Sequence, residues 1–487
     1  MMNWLRKNYS FVVVCTIFLL VKFFLLDTYF FWDSLVILSR PATYLYENGL
    51  TALPFPQELG VAPTFLHFYT ALVWTLFGRT SLVTHLSFLP FVLLLLFQIY
   101  KLCKRFVGKD FLLMTFLFVV SDPTFVAQTL GLYADLFLMA FAICSINNIL
   151  ENNRLRLIVS LFLLAAVGER GMLMAIALTI LYFFIEFRKE HNFLFSLRST
   201  FYVFLPTFFC LISFVAYQKI TTGYLLLDNS ENSDWGMHWR LVDFRQFMKN
   251  CLALGFRFIE YGRLFLWITF VYLLIKVRKK AIEPFLFSAY CIIFVVLLVA
   301  TLPWYNPFGM RYFLLLYLLF ALNLARSISI SLSKKKAKTL LFALVLLLSC
   351  SHFYVYPERL SQSWDSSLAH LPYFDLRRQT IDFLKENNVP FSEVGVSFPL
   401  TEKHKLTDFS DENGEFSNYD FKQNRWIIYT NIGNLDTPTI DLIRRQTLVK
   451  RFEKCGVFFE LYQVEQPNEN NATKNTLLKG IQLPLKQ

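Results

Sequence analysis

Charged side chains are scarce in this chain of 487 residues: they make up 17% of it, against about 25% in a typical soluble domain. Glycine and proline are also few, at 17 residues each, whereas 18% of the residues are aromatic. This composition excludes disordered, collagen-like and coiled-coil proteins. It also disfavours a purely soluble enzyme.

The motifs of common soluble enzymes are missing too. The sequence contains no glycine-rich phosphate loop, no GxSxG and no HExxH. Its eight cysteines are scattered, without a CxxC pair or a mixed cysteine and histidine cluster. We therefore expect neither a disulfide framework nor a zinc site.

Long hydrophobic runs are abundant instead. Hydrophobic residues form 55% of the chain, 55 of them are phenylalanine, and the mean hydropathy is +0.45. A helix needs about 20 apolar residues to span a bilayer, and about 17 suffice. We predict an α-helical polytopic membrane protein with about eleven transmembrane helices. The runs lie near residues 10–26, 82–100, 111–121, 131–150, 155–168, 171–187, 199–218, 260–275, 284–302, 312–326 and 338–353.

The net charge of +12 reports topology and does not indicate a nucleic-acid partner. Residues 353–487 carry 16 basic and 18 acidic side chains, whereas residues 1–352 carry 31 and 17. With the N-terminus in the cytoplasm, the cytoplasmic segments hold twenty Lys and Arg residues, and the short outer segments hold four. Basic residues favour the cytoplasmic side, so this asymmetry predicts an N-in, C-out orientation. The first span is expected to be a retained anchor.

Two outer loops lie within the membrane part, residues 1–352. The first loop, 27–80, contains a second apolar stretch from Pro63 to Gly78, which begins and ends outside and is therefore predicted to be an interfacial or re-entrant helix. The second loop, 219–258, carries Trp235 and Trp239 ahead of an amphipathic run. That run predicts a helix lying at the membrane interface.

Residues 353–487 are predicted to form a small extracytoplasmic α/β domain, because polar residues return and the hydrophobic periodicity changes. The expected elements are a helix over 375–388 stopped by Pro390, strands over 393–398, 426–430 and 456–464, and a helix beginning at Thr437 (as cap) and Pro438. Residues after about 466 are expected to form a loose end.

Six ionisable residues cluster near the outer face of the predicted bundle. At membrane depth each costs about 2.5–3.5 kcal/mol, so each needs a partner or a function. Their one-sided distribution favours a reaction chamber that opens outward over an ion path through the membrane. Lys22, inside the first span, is expected to extend its ammonium outward to the interface. The six residues are Asp33, Asp122, Asp135, Glu169, Arg170 and Arg311.

Each of these residues also has a structural interpretation. Asp122 precedes Pro123, as a helix N-cap does, and Asp135 lies among apolar residues and needs a partner or a wet cavity. Glu169 and Arg170 either pair in a tight turn or seek separate partners, an anion for the arginine and a cation for the glutamate. Arg311 offers a planar fork to phosphate oxygens, or lies at the interface beside aromatic residues.

The order of these features resembles the C-type glycosyltransferase superfamily, which includes protein O-mannosyltransferases and lipid A aminoarabinose transferases. The resemblance is spread over residues 1–320. Its points are Asp33 in the first outer loop, the stretch from Pro63 to Gly78, Ser121-Asp122-Pro123 with Asp135 twelve residues after Pro123, Glu169-Arg170-Gly171, and Arg311-Tyr312 opening a late span.

The resemblance implies a membrane glycosyltransferase that moves a sugar, with inversion, from a polyprenyl-phosphate donor to an extracytoplasmic glycan, lipid or protein acceptor. It assigns a catalytic or metal-binding role to Asp33 and contact with the lipid phosphate to Arg311. It favours a bacterial inner membrane with the site facing the periplasm. Substrate binding is expected of Arg311, Tyr312, Asp122, Asp135, Glu169 and Arg170, and a divalent metal ion is left open as a cofactor.

Two alternatives stay open at this stage. A polytopic transporter or lipid flippase would also be rich in spans, although we find no internal repeat and no matched pair of Gly/Pro-broken helices. A non-catalytic member of the same fold is the other, because Ser34 follows Asp33 where many relatives have a glutamate.

Overall fold

The computed structural model describes residues 8–223, 241–277, 282–305, 309–410 and 414–464. The protein is mostly helical (70%) and has one small sheet in its C-terminal part. The chain forms two compact units: one contains Met1–Asp27 and Val36–His352, and the other contains Thr28–Leu35 and the chain from Phe353 onward. The loose end predicted after about residue 466 lies outside the described residues.

The first unit is built from helices. In chain order they are α1 (Tyr9–Phe23), α2 (Arg40–Asn48), α3 (Phe65–Phe77), α4 (Ser81–Phe106), α5 (Leu112–Val120), α6 (Pro123–Leu130), α7 (Asp135–Leu150), α8 (Arg154–Ala166), α9 (Glu169–Glu190), α10 (Phe193–Thr222), α11 (Phe244–Ile259), α12 (Arg263–Val277), α13 (Pro284–Thr301), α14 (Leu314–Ser331) and α15 (Lys334–Cys350).

Length and hydropathy identify the candidate membrane spans among these described helices. Six segments qualify alone, and up to eight qualify if each of two bent pairs is one span. This pattern is that of a multi-pass membrane protein. Each predicted apolar run coincides with helix, but several helices are too short to qualify, so the count of eleven stays a prediction. The six are Ser81–Phe106, Glu169–Glu190, Phe193–Thr221, Pro284–Thr301, Met310–Ser331 and Lys334–Phe353.

Helices α7 and α14 lie at the centre of the first unit. Fourteen of the 16 residues of α7 and 13 of the 18 residues of α14 are buried. A helix that is apolar on all sides is expected to be surrounded by other helices. Helices α4, α8 and α9 pack around α7, and α13 and α15 pack against α14. Helix α7 begins at Asp135, and α14 follows a 3-10 turn, Met310–Phe313, that contains Arg311; these two starts carry the site described below.

Two breaks interrupt the apolar helices. Helices α5 and α6 meet at 75°, and α11 and α12 meet at 83°. The first break falls at Asp122-Pro123, where proline removes a backbone donor and is suited to the first position of a new helix. At the second break Tyr261 and Gly262 take left-handed φ values of 52° and 80°. A left-handed pair ends one helix and redirects the next.

The helices predicted in the outer loops are present. Helix α3 begins at a capping box between Thr64 and His67, and it packs with α2 around Leu45 and Ala71. Helix α11 exposes one apolar stripe, in which the side chain of Phe244 is 79% exposed. Their positions in a membrane stay predictions, and Trp235 and Trp239 lie outside the described residues.

The second unit is an α/β fold with a mixed sheet. The strand order is β2-β1-β3-β5-β4, in which β1 is parallel to β2 and β3, while β5 is antiparallel to β3 and β4. Helix α16 packs on β4 and β5. The elements are α16 (Pro372–Glu386), β1 (Val394–Val396), α17 (His404–Asp408), β2 (Ser417–Asn418), β3 (Trp426–Thr430), α18 (Thr437–Ile443), β4 (Thr447–Lys454) and β5 (Val457–Gln463).

The elements predicted for this unit are confirmed, with three differences. The first predicted strand shortens to three residues because a 3-10 turn, Phe391–Glu393, occupies its start. Helix α18 is capped by Asp436, whose carboxylate accepts from the Thr439 amide at 3.1 Å, so Thr437 is already helical. Strands β2 and β4 and helix α17 were missed, because β2 and α17 have only two and five residues and the side chains of β4 are nearly all exposed.

Candidate anion-binding site

Four of the predicted site residues come together in the first unit. Asp135 is the first residue of α7, Arg170 lies in the first turn of α9, and Arg311 and Tyr312 lie in the 3-10 turn Met310–Phe313 that leads into α14. Arg170 donates two hydrogen bonds to the Asp135 carboxylate, at 2.6 and 3.1 Å. Arg311 forms an ion pair with the same carboxylate at 3.9 Å.

Tyr312 lies beside both arginines. Its ring centroid is 5.0 Å from the guanidinium carbon of Arg170 and 5.7 Å from that of Arg311. Cations at this distance are attracted to the face of the ring. The ring therefore contacts both of the guanidinium groups that face Asp135.

The approach of α9 to this cluster depends on Gly171. A Cβ atom at this position would collide with the backbone carbonyl oxygen of Leu164, which belongs to α8. Glycine lets the backbone of α9 lie against the end of α8, and Gly168 precedes it with a φ of 139° that other residues rarely adopt. The glycine after Arg170 thus lets the arginine reach Asp135.

The charges of this cluster favour an anionic ligand. Asp135, Arg170 and Arg311 supply one carboxylate and two guanidinium groups, and Asp135 and Arg311 have side chains only 2% and 4% exposed. Arg170 is 28% exposed and gives the cluster an open side. The two guanidinium groups, held close together in a site of low dielectric, favour negatively charged groups beside them. Arginine forks are suited to phosphate oxygens.

Asp122 forms a separate buried ion pair. It caps α6, accepting from the Thr124 and Phe125 amides at 3.0 and 3.2 Å, as its structural interpretation predicted. Its two oxygens also accept hydrogen bonds from Arg263, both at 2.8 Å. Arg263 stacks on the ring of Tyr317, with its guanidinium carbon 3.8 Å from the centroid. With both oxygens engaged, this carboxylate is suited to joining the two broken helix pairs.

Arg263 was missed by the sequence analysis, although the signal was present. Arg257, Glu260 and Arg263 recur every three residues where α11 meets α12. Glu260 is buried and accepts from Arg257 at 2.9 and 3.2 Å, so this spacing forms a second ion pair beside the first. Arg263 also donates to the Met310 sulfur at 3.6 Å, which places this pair next to the turn that carries Arg311.

Two predictions about partners are wrong. Lys22 does not extend outward: it is 3% exposed and donates to the Leu130 carbonyl at 2.6 Å, because that helix-end oxygen offers a buried acceptor. Glu169 was expected to pair with Arg170 or another cation. It accepts from the Gln218 amide at 3.4 Å, while the neighbouring Arg170 reaches Asp135.

Asp33 belongs to the second unit, in the segment Thr28–Leu35. It is half-buried and follows Trp32, whose φ is 55°. Within the described residues, no group of three or more His, Cys, Asp or Glu side chains is placed to hold a metal ion. The carboxylates of Asp122 and Asp135 each face an arginine, which is a donor set that does not suit a metal.

The six predicted substrate-binding residues thus separate into a cluster of four and two residues outside it. The cluster contains Asp135, Arg170, Arg311 and Tyr312. Asp122 pairs with Arg263 instead. Glu169 precedes Arg170 in the sequence but accepts from Gln218. No family model, curated protein or solved structure matches the chain.

Proposed function

We propose that this protein is a membrane glycosyltransferase that uses a polyprenyl-phosphate-linked sugar. The observation that carries the proposal is the convergence of Arg170 and Arg311 on one carboxylate, beside Tyr312, at the start of the central helices. Such a cluster provides a binding site for the phosphate of a lipid donor. The apolar helices around it provide a surface for the lipid chain.

The chemistry follows from the charge of the donor. In transfer, the anomeric carbon loses its bond to the phosphate oxygen and gains one to the acceptor hydroxyl, with inversion. The departing lipid phosphate gains a negative charge, which Arg311 and Arg170 stabilise. The proton of the acceptor hydroxyl passes to a carboxylate, and we assign that role to Asp33.

The proposal includes the location of the protein. About eleven spans with the N-terminus inside place both outer loops and the C-terminal domain outside the cytoplasm, as the distribution of basic residues indicates. The membrane we propose is the bacterial inner membrane. The acceptor is then an extracytoplasmic glycan, lipid or protein.

Arg311→Ala in the purified full chain tests the phosphate site. We expect the affinity for polyprenyl phosphate to fall, and transfer from polyprenyl-phosphate sugars to fall about 100-fold, because one charged donor to the transition state is removed. Binding of polyprenyl phosphate is measurable before the acceptor is known. Arg311→Lys should recover only part of the loss, because lysine lacks the planar fork.

Arg198→Ala is the matched control. Arg198 is exposed and also lies over a tyrosine ring, 5.7 Å from that of Tyr202, so its removal costs the same kind of contact. Unchanged polyprenyl-phosphate binding in Arg311→Ala would contradict the phosphate site. Separately, wild-type transfer by a folded Asp33→Asn protein would contradict its role as the base.

A transporter of a lipid phosphate is the second candidate, and the two bent helix pairs favour it. Broken helices line the substrate sites of many transporters, and here they meet at the buried pair of Asp122 and Arg263. Reconstituted vesicles separate the two functions. Movement of polyprenyl phosphate across the bilayer without any glycosidic product would favour transport.

A further inference from the structure

Four aromatic residues in succession precede Asp33, and all four contact the C-terminal chain within the second unit. The ring centroids of Tyr29 and Phe374 are 4.7 Å apart, those of Phe30 and Phe409 are 5.3 Å apart, and those of Trp32 and Phe398 are 5.2 Å apart. The fourth, Phe31, stacks on His370 at 4.4 Å with an interplanar angle of 8°. A loop segment is thus held by rings from four places.

Burial makes this attachment strong. Phe30 and Phe31 are 0% and 1% exposed, and Tyr29 also donates a hydrogen bond to the Phe374 carbonyl at 3.3 Å. A buried aromatic side chain removes about 150–250 Å² from water. Burial lowers the pKa of His370 to about 4, so its ring is uncharged at neutral pH and stacks on Phe31 as a neutral aromatic.

The backbone at Asp33 is fixed as well. Trp32 has a φ of 55°, a conformation that a bulky residue keeps only when its surroundings enforce it. The Ser34 hydroxyl accepts from the Phe31 amide at 3.0 Å and donates to the Phe31 carbonyl at 2.7 Å. Ser34 therefore closes a tight turn with Asp33 inside it, a role that a glutamate at this position could not fill.

We propose that the C-terminal unit positions the Asp33 carboxylate, and that His370, Phe374 and Ser34 are positioning residues for sugar transfer. The inference rests on the proposed function, in which Asp33 accepts the acceptor proton. A misplacement of about 1 Å can cost two orders of magnitude in rate.

His370→Ala and His370→Phe form the test pair, assayed in the full chain with a polyprenyl-phosphate sugar. We expect His370→Ala to lower kcat about 10- to 100-fold while KM for the donor and the affinity for polyprenyl phosphate stay unchanged. His370→Phe keeps a flat ring against Phe31 and should restore most of kcat. A general loss of folding would lower donor binding as well as kcat. In that case His370→Phe would not restore kcat while leaving donor binding unchanged.

Ser34→Ala provides a second variant, since it removes the two hydrogen bonds of the Ser34 hydroxyl and leaves the backbone hydrogen bond of the turn and every ring in place. We expect kcat to fall about tenfold with donor binding intact, so the proposal stays testable if His370→Ala does not fold. The control is Phe452→Leu. Phe452 packs against Phe383, 6.0 Å between centroids, in the same unit and away from residues 28–35. Its kcat should match the wild type.

Two results would overturn the proposal in different ways. If Asp33→Asn is inactive while Ser34→Ala and His370→Ala have the wild-type kcat, Asp33 is the base but needs no positioning by this unit. If a folded Asp33→Asn transfers sugar at the wild-type rate, the base assignment fails, and the positioning role fails with it.

Discussion

The ion pair between Asp122 and Arg263 offers the sharpest prediction for stability. Asp122→Asn removes the charge that faces the buried Arg263 guanidinium, which keeps its contacts with the Thr124 hydroxyl, the Met310 sulfur and the Tyr317 ring, while the asparagine oxygen still caps α6. Asp122→Ala removes the cap as well. Arg263→Met leaves the Asp122 carboxylate buried without the guanidinium that faces it.

The magnitude follows from the burial of both side chains, which are 3% and 6% exposed. Breaking a buried pair by removing one partner costs about 3–5 kcal/mol, because the remaining charge loses its compensation. Loss of the N-cap adds about 1 kcal/mol. We therefore expect Asp122→Asn and Arg263→Met each to lose about 3–5 kcal/mol, and Asp122→Ala to lose about 1 kcal/mol more. The double variant Asp122→Asn/Arg263→Met should lose less free energy of unfolding than the two single variants lose together.

Chemical unfolding of the purified full chain in mixed micelles measures these differences. The four proteins of the cycle are compared under one condition, because only their differences carry the argument. If each single variant lost less than about 1 kcal/mol, the ion pair would contribute little to stability, contrary to the prediction. Additive losses in the double variant would show that the two side chains act independently, which would refute the reasoning.

Three further predictions follow from single residues. Burial lowers the pKa of His370 to about 4 in the folded chain, so between pH 6.5 and pH 4 only the unfolded chain binds a proton there. The C-terminal unit should therefore lose up to about 3 kcal/mol of stability as the pH falls through that range. His370→Phe should flatten this pH dependence of the unfolding midpoint, and an unchanged profile would exclude His370 as its source. Gly171→Ala should displace the first turn of α9 and weaken polyprenyl-phosphate binding together with stability, whereas Gly255→Ala, where space is open, should do neither. Lys22→Met should raise the thermal midpoint, because a buried ammonium bonded to one carbonyl costs more than a methionine; a lower midpoint would contradict this.

Most helices of the first unit were accessible from the sequence because an apolar run is a local pattern, whereas α2, which has no such run, was not predicted. Even the break at Asp122 was indicated by the proline that follows it. The convergence of Asp135, Arg170 and Arg311 was only partly accessible. Their ionisable character at membrane depth marked each as needing a partner, but the identity of that partner depends on packing between helices far apart in sequence.

The failures have physical reasons of the same kind. Lys22 was assigned to the interface because a lysine near a helix end usually extends outward, and its buried acceptor comes from Leu130, 108 residues away. Arg263 was overlooked because it lies at the start of an apolar run. Strand β4 was invisible because a strand exposed on both faces shows no alternation.

The attachment of Tyr29 to Phe374 links residues that are made far apart in time. Their hydrogen bond joins positions 345 residues apart. At about 5–20 residues per second, the ribosome needs roughly 20 to 70 seconds to travel between them. During that interval the aromatic run has none of its C-terminal partners, and a chain that ends before Phe374 never acquires them. The second unit is therefore completed only after the whole membrane part has been synthesised, so its folding is a late step of assembly.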